Sequence, residues 1–248
     1  MITASDVEAI ERATLVAVAP DRVVEIGDWL VPLSAGTVGR AKSAAPLRHD
    51  IGREAAKLDE IEAAYHDAGL PAAYRVAEAP SLEAIRADLG RRGFHAEQPT
   101  DVKITTSAEM AAVNATAAST FPQPPPGWSD VFLGPGFDPI DGNFRVEALT
   151  RAQGSAYAAV QREGQTVAVG VASFGYGWAS VHGMRTHQAW RGQGLAGEVL
   201  AGLAHEALGR GITRVFLQVE SGNAPALALY GRAGFRTAWQ YNYWRRDG

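Results

Sequence analysis

The sequence predicts a mixed α/β protein whose C-terminal half runs β-β-β-α-β-α-β around one mixed sheet. Three observations predict it. Residues 155–186 hold three apolar, β-rich runs, SAYAAVQ, TVAVGVASF and WASVHGMRT, separated by the short turns REGQ and GYG. Beyond the loop HQAWRGQG, Leu195 to Leu208 has helical periodicity and meets glycine at Gly209 and Gly211. The strand-like TRVFLQVE, the helix-like SGNAPALALYGRAG and the strand-like FRTAWQYNYW then follow, and this alternation builds a sheet with covering helices.

The N-terminal elements follow in order. Ser5 to Val18 has a helical apolar period and stops at Pro20. VVEIGDWLVPL and TVGRAKSAAPL read as two strands joined by a turn at SAG. Glu54 to Ala68 reads as a helix closed by Gly69, AAYRVAE as a strand, and LEAIRADLGRR as a helix capped by Ser81. FHAEQPTDVKI is extended, and Ser107 is expected to cap a helix to about Ala118. FPQPPPGWSD reads as a stiff proline-rich loop, LGPGFDPIDGN as irregular, and Phe144 to Ala152 as a short helix. The two irregular segments are expected to cover a substrate pocket.

The halves resemble each other. Leu89-Gly90-Arg91-Arg92-Gly93-Phe94 aligns with Tyr230-Gly231-Arg232-Ala233-Gly234-Phe235 at a spacing of 141 residues. Each copy is preceded by a helix ending in glycine, a short strand and a second helix. The expected division is a degenerate N-terminal copy, residues 1–105, and a second domain, residues 106–248.

Composition narrows the function. A chain of 248 residues with 46% hydrophobic and 20% charged residues is globular, and its net charge of -4 gives no general affinity for nucleic acid. No apolar run is long enough for a membrane helix, and the N-terminus has early acids in place of a basic signal region, so a cytoplasmic location is expected. The absence of cysteine removes disulfides, thiolate metal sites and cysteine-linked covalent intermediates. The six histidines show no ligand-spaced cluster, so no metal is expected.

RGQGLAG, residues 191–197, fits two phosphate-binding patterns. GQGLAG matches the G-x-G-x-x-G dinucleotide fingerprint. That loop leaves a buried strand directly, whereas His187 to Arg191 intervene here, and too few residues follow for the remaining strands of a dinucleotide fold. Glu220, at the end of the next strand, is the feature that a ribose-binding acid would need. On either pattern, glycines admit an anion close to the backbone, and the helix from Leu195 offers unpaired N–H groups to a phosphate.

A second motif separates them. N-x-x-A-x-x-L-Y-x-x-x-G-F runs from Asn223 to Phe235, and V-H-G-M-R-T is followed, after the four residues HQAW, by R-G-Q-G-L-A. Together they resemble the GNAT superfamily of acyl-CoA-dependent N-acetyltransferases over about residues 144–248. Residues 1–105 match only as a degenerate copy, as in tandem GNAT proteins. The resemblance implies a GNAT-like fold with acetyl-CoA as cosubstrate. The backbones of Met184 and Thr186 would hold the pantetheine arm, and the loop Arg191, Gly192, Gln193, Gly194, Leu195 and Ala196 the pyrophosphate. Asn223 would contact the cosubstrate or cap its own helix, and Ala226 would leave room for the arm. Tyr230 would be the general acid for the departing thiolate, and the Met184 N–H would stabilise the oxyanion.

A base is needed for the amine, and His182 and Glu220 are candidates. His182 is expected to share a strand face with Met184 and Ser180, and ordinary strand packing also explains it. The N-terminal copy departs from the pattern, with Leu89 in place of the tyrosine, Leu82 in place of Asn223 and no glycine loop. It is expected to extend the sheet and wall the acceptor site without binding acetyl-CoA. The leading expectation is direct acetyl transfer to a small-molecule or peptide amine in a ternary complex, without nucleic acid or membrane partners. The alternatives are a non-catalytic acyl-CoA-binding regulator and a nicotinamide oxidoreductase.

Overall fold

The computed structural model describes residues 2–52 and 57–246. The chain begins with α1 (Ala4–Val18), β1 (Arg22–Ile26), β2 (Trp29–Leu33) and β3 (Ala45–Pro46). It continues through α2 (Leu58–Asp67), β4 (Tyr74–Ala77), α3 (Glu83–Arg91), β5 (His95–Thr106), α4 (Ser107–Ala111) and β6 (Ser119–Phe121). Then come α5 (Asp130–Leu133), α6 (Pro139–Arg151), β7 (Ala156–Arg162), β8 (Gln165–Gly175) and β9 (Trp178–Thr186). Finally α7 (Leu195–Gly209), β10 (Arg214–Glu220), α8 (Ala224–Arg232) and β11 (Arg236–Arg245) complete the expected β-β-β-α-β-α-β order.

The main sheet has the order β4-β11-β5-β10-β9-β8-β7-β6, and β1, β2 and β3 form a small separate sheet. β5, from the N-terminal half, lies between β10 and β11 and is antiparallel to both. β11 in turn pairs with β4. The halves therefore exchange their last strands across one continuous sheet. α7 packs on one face through Val199, Leu200, Leu203 and Ala204, and α1 covers the other through Ile10 and Ala13 against Trp178 and Phe216.

β9 and β10 are parallel, and they pair only from Ala179–Val181 against Val215–Leu217. Beyond that point they diverge. The remaining residues of β9 and β10 form the two arms of an open V.

Several sequence expectations need correction. The first hairpin turns at Gly27-Asp28, where Gly27 has φ +56°, and not at SAG. Most of TVGRAKSAAPL is not strand. It makes a 3-10 turn at Gly39–Ala41, locked by the Ser43 hydroxyl donating to the Gly39 carbonyl at 2.8 Å. Glu54, the expected start of the second helix, lies outside the described residues, and α2 runs from Leu58. Ser81 does not cap α3. Its hydroxyl bonds the His49 carbonyl, and a 3-10 turn at Pro80–Leu82 leads into the helix. α4 is capped by Thr106, reciprocally with Glu109, and stops at Ala111. α6 begins five residues before Phe144 because Asp138 caps it and Pro139 fits its first turn. Neither irregular segment lines the main cleft. Trp128 of the proline-rich loop is buried against Phe132 and Tyr157, and Phe137 lies under Arg185 and Arg191.

His49 packs edge-on against Trp239 at 5.1 Å, and burial lowers its pKa from 6.5 to about 4. A histidine with a depressed folded-state pKa stabilises the fold above its unfolded value. That stability is lost as the pH falls from 6.5 towards 4, because the unfolded chain takes up the proton first. His49→Phe is expected to make the acid limb of stability shallower by roughly 2–3 kcal/mol. Denaturant midpoints measured across this pH range check it, and an unchanged acid limb would contradict it.

Candidate active site

The V opens into a cleft of about 550 Å³. One wall is His182, Gly183 and Met184 of β9, and the facing wall is Gln218, Val219 and Glu220 of β10. Asn223, Ala226 and Tyr230 of α8 close one side, and Tyr241, Tyr243 and Arg245 of β11 another. The segment Thr37 to Lys42 forms a rim. His182, Glu220, Met184, Asn223, Ala226 and Tyr230 thus converge, although they were singled out from three separate elements.

A β-bulge shapes the β9 arm. Val171 pairs with His182 and Val169 with Arg185, so Gly170 faces both Gly183 and Met184. Gly183 has φ +59°, a conformation that favours glycine, and a Cβ there would press on the Leu149 side chain at 2.6 Å. The bulge turns the next residue over. Met184 joins the α7 core with Val181, whereas His182 sits edge-on to Phe216 at 6.3 Å, on the α1 face. The expectation that His182 and Met184 share a face by simple alternation is therefore corrected. Ser180 stays with His182, and its hydroxyl donates to the Ser173 carbonyl at 3.2 Å. Among the described residues, the edge of β9 that faces β10 has no strand partner beyond Val181, so backbone groups there are open to a ligand.

Tyr230 is 8% exposed and packs edge-on to Phe235 at 5.7 Å. Burial pushes its phenol up to about 12, against an opposing pull from the Arg40 charge, so Tyr230 keeps its proton at neutral pH. His182 is 4% exposed, and neither ring nitrogen has a hydrogen-bond partner among the described residues. Burial, with the Arg40 charge adding to it, holds its pKa well below the usual 6.5, so the ring is neutral. Glu220 is exposed at the end of β10 and accepts a hydrogen bond from Gln98 Nε2 at 2.7 Å. Asn223 caps α8, its side chain accepting from the Ala226 amide at 3.3 Å.

The loop before α7 is built to receive an anion. Gly192 and Gly194 have φ +80° and +78°, and Arg191 to Gly194 are exposed. Among the described residues, nothing accepts a hydrogen bond from the amides of Gly192, Gln193, Gly194, Leu195 or Ala196. Unpaired amides at the start of a 15-residue helix favour a bound anion. Asn114 Nδ2 donates to the Gly194 carbonyl at 3.3 Å and props the loop from behind. Thr186 ends β9 just before it, its carbonyl accepting from Arg191 Nε at 3.3 Å.

Sequence reasoning missed Arg40, Lys42 and the tyrosines of β11. Tyr241 and Tyr243 were legible as a period-two pair on the final strand. Arg40 carried no signal, because His182 and Tyr230, which line the cleft with it, lie more than 140 positions away.

Residues 121–235 match the model of the acetyltransferase (GNAT) family. The uncharacterized N-acetyltransferase YobR of Bacillus subtilis is 25% identical over 244 residues, covering 96% of this chain and 98% of that protein. A GCN5-related N-acetyltransferase from Kribbella flavida superposes with a TM-score of 0.72 at 16% identity, covering 100% of this chain and 97% of that one. A tandem GNAT protein from the clavulanic acid biosynthesis pathway superposes with a TM-score of 0.63 at 15% identity, covering 98% of this chain and 96% of that one. The matched segment holds both arms of the V, the glycine loop and α8, and over it this chain is similar to the acetyltransferase (GNAT) family.

Proposed function

We propose that this protein transfers an acetyl group from acetyl-CoA to an amine, with both substrates held together in the V. The observation that carries this reading is the pairing of five free amides, Gly192 to Ala196, with a protonated tyrosine in the adjoining cleft. The loop amides would take the pyrophosphate. The open backbone edge at Met184 and Thr186 would take the pantetheine arm, passing the small side chain of Ala226. Acetyl-CoA supplies the activated acyl group.

Tyr230 would hold its proton for the departing thiolate, and the Met184 amide would receive negative charge developing on the carbonyl oxygen. Glu220 is the better candidate base of the two. It is ionisable at the open mouth of the cleft and can take the amine proton through water. His182 is buried beside a positive charge, which opposes imidazolium formation. Its part would be to present ring nitrogens to the acceptor. With no cysteine in the chain, direct transfer is the simpler route. We assign the chemistry to residues 106–248. Residues 1–105 would complete the sheet through β5 and wall the acceptor side through Thr37 to Lys42. Leu89, at the position of Tyr230, is fully buried core and offers no acid.

The test is thiol release from acetyl-CoA across a panel of amines. Amine-dependent release with matching N-acetylated product is expected. Acetyl-CoA binding without transfer to any class of amine would contradict catalysis and favour a regulatory acyl-CoA binder.

A further inference from the structure

Two basic side chains from the N-terminal half reach the cleft without an acidic partner. Among the described residues, no carboxylate lies within ion-pair distance of Arg40 or Lys42. The other cleft arginines differ. Arg145 and Arg185 share Asp141, and Arg245 pairs with Glu97. The uncompensated positive charge is therefore local.

The Arg40 Nε is buried and has no hydrogen-bond partner among the described residues. Leaving a guanidinium donor dry and unpaired is unfavourable, and a bound anion would relieve it. A second, independent observation points to a ligand at the same place. His182 lines the cleft, is 4% exposed, and has both ring nitrogens unpaired.

Arg40 is presented from a fixed support. Ser43 locks the 3-10 turn, and Gly39 sits so close to Tyr243 that a Cβ would meet its ring at 2.9 Å. The Thr37 hydroxyl donates to Asp141 at 2.8 Å and ties the segment to α6. Arg40, His182 and Tyr230 line the same cleft, so an anion bound to Arg40 would share it with the reacting end.

We propose that the acceptor is an amine carrying a carboxylate close to its amine nitrogen, with Arg40 as the carboxylate anchor and Lys42 as a second cation. This deepens the acetyl-transfer reading and rests on it. The planar guanidinium fork matches a carboxylate. Glu220, the acid at the mouth, disfavours the carboxylate there and favours the amine end. Polyamines and aminoglycoside-like cations would meet like charge at Arg40 and Lys42, and this decides against them.

The experiment compares thiol release from acetyl-CoA with matched acceptors. Glycine, alanine and glutamate are set against their amides, against amines of equal length lacking the carboxylate, and against spermidine. At least one carboxylate acceptor is expected to exceed its uncharged partner by roughly 10- to 100-fold in kcat/KM, as a charge-assisted pair contributes. Arg40→Gln should erase that preference while leaving acetyl-CoA affinity unchanged.

Equal or faster turnover of amides or spermidine, or a preference that survives Arg40→Gln, overturns the proposal. If no amine is acetylated, calorimetric binding of the N-acetyl amino acids in the presence of CoA decides. Binding that is lost in Arg40→Gln upholds the anion site even if the acetyl-transfer reading fails, and no binding overturns it.

Discussion

Arg75→Ala is expected to destabilise the protein by about 3–5 kcal/mol, as removing one partner of a buried ion pair does. Arg75 on β4 and Glu11 on α1 are both buried, with Nη1 to Oε2 at 2.8 Å. Removing the arginine strands a carboxylate between helix and sheet. The guanidinium also lies over the Tyr241 ring, 5.5 Å from its centroid. The Tyr241 hydroxyl donates to Gln218 at 2.9 Å, so this pair supports one wall of the cleft. Chemical denaturation measures the loss, and a change below about 1 kcal/mol would contradict it. Combining Glu11→Leu with Arg75→Met should recover much of the stability, because a buried ion pair contributes little net stability against well-packed apolar residues.

Tyr230→Phe is expected to lower kcat by tenfold or more, towards the roughly 10²–10⁴-fold that a positioned acid contributes. The affinity for acetyl-CoA should barely move, since the ring still fills its place against Phe235. The phenol is pushed up to about 12, so Tyr230 should produce no alkaline fall in rate around neutral pH. Full turnover in the phenylalanine variant, or a loss confined to KM, would remove Tyr230 from the chemistry.

The C-terminal elements were legible because local pattern and tertiary role agree there. Three apolar runs with short turns had to be adjacent strands, and glycines ahead of an apolar helix had to be an exposed helix start. Tyr230, Asn223 and Ala226 came from the resemblance carried by N-x-x-A-x-x-L-Y and Glu220 from its place at the end of a strand, and all four line the cleft. What escaped depended on distant contacts or single backbone angles. Nothing within TVGRAKSAAPL announces that Gly39 will pack under Tyr243 and hold Arg40 over the V. Simple alternation failed at Gly183, where one left-handed residue turns Met184 to the opposite face from His182. The repeat at 141 residues was visible, but the strand exchange was not. β5 and β11 each follow a Gly-Phe pair, and only the assembled sheet sets them side by side.

The most direct measurement is a calorimetric titration with acetyl-CoA, with NADH as control and Gly192→Val alongside. At Gly192 a Cβ meets nothing within 4 Å, but φ is +80°, so valine would disturb the loop backbone without a clash. A single saturable site for acetyl-CoA is expected, weakened roughly tenfold or more in the valine variant, with no site for NADH. No binding of acetyl-CoA, or a preference for NADH, would contradict the assignment of the Gly192–Ala196 amides to the CoA pyrophosphate.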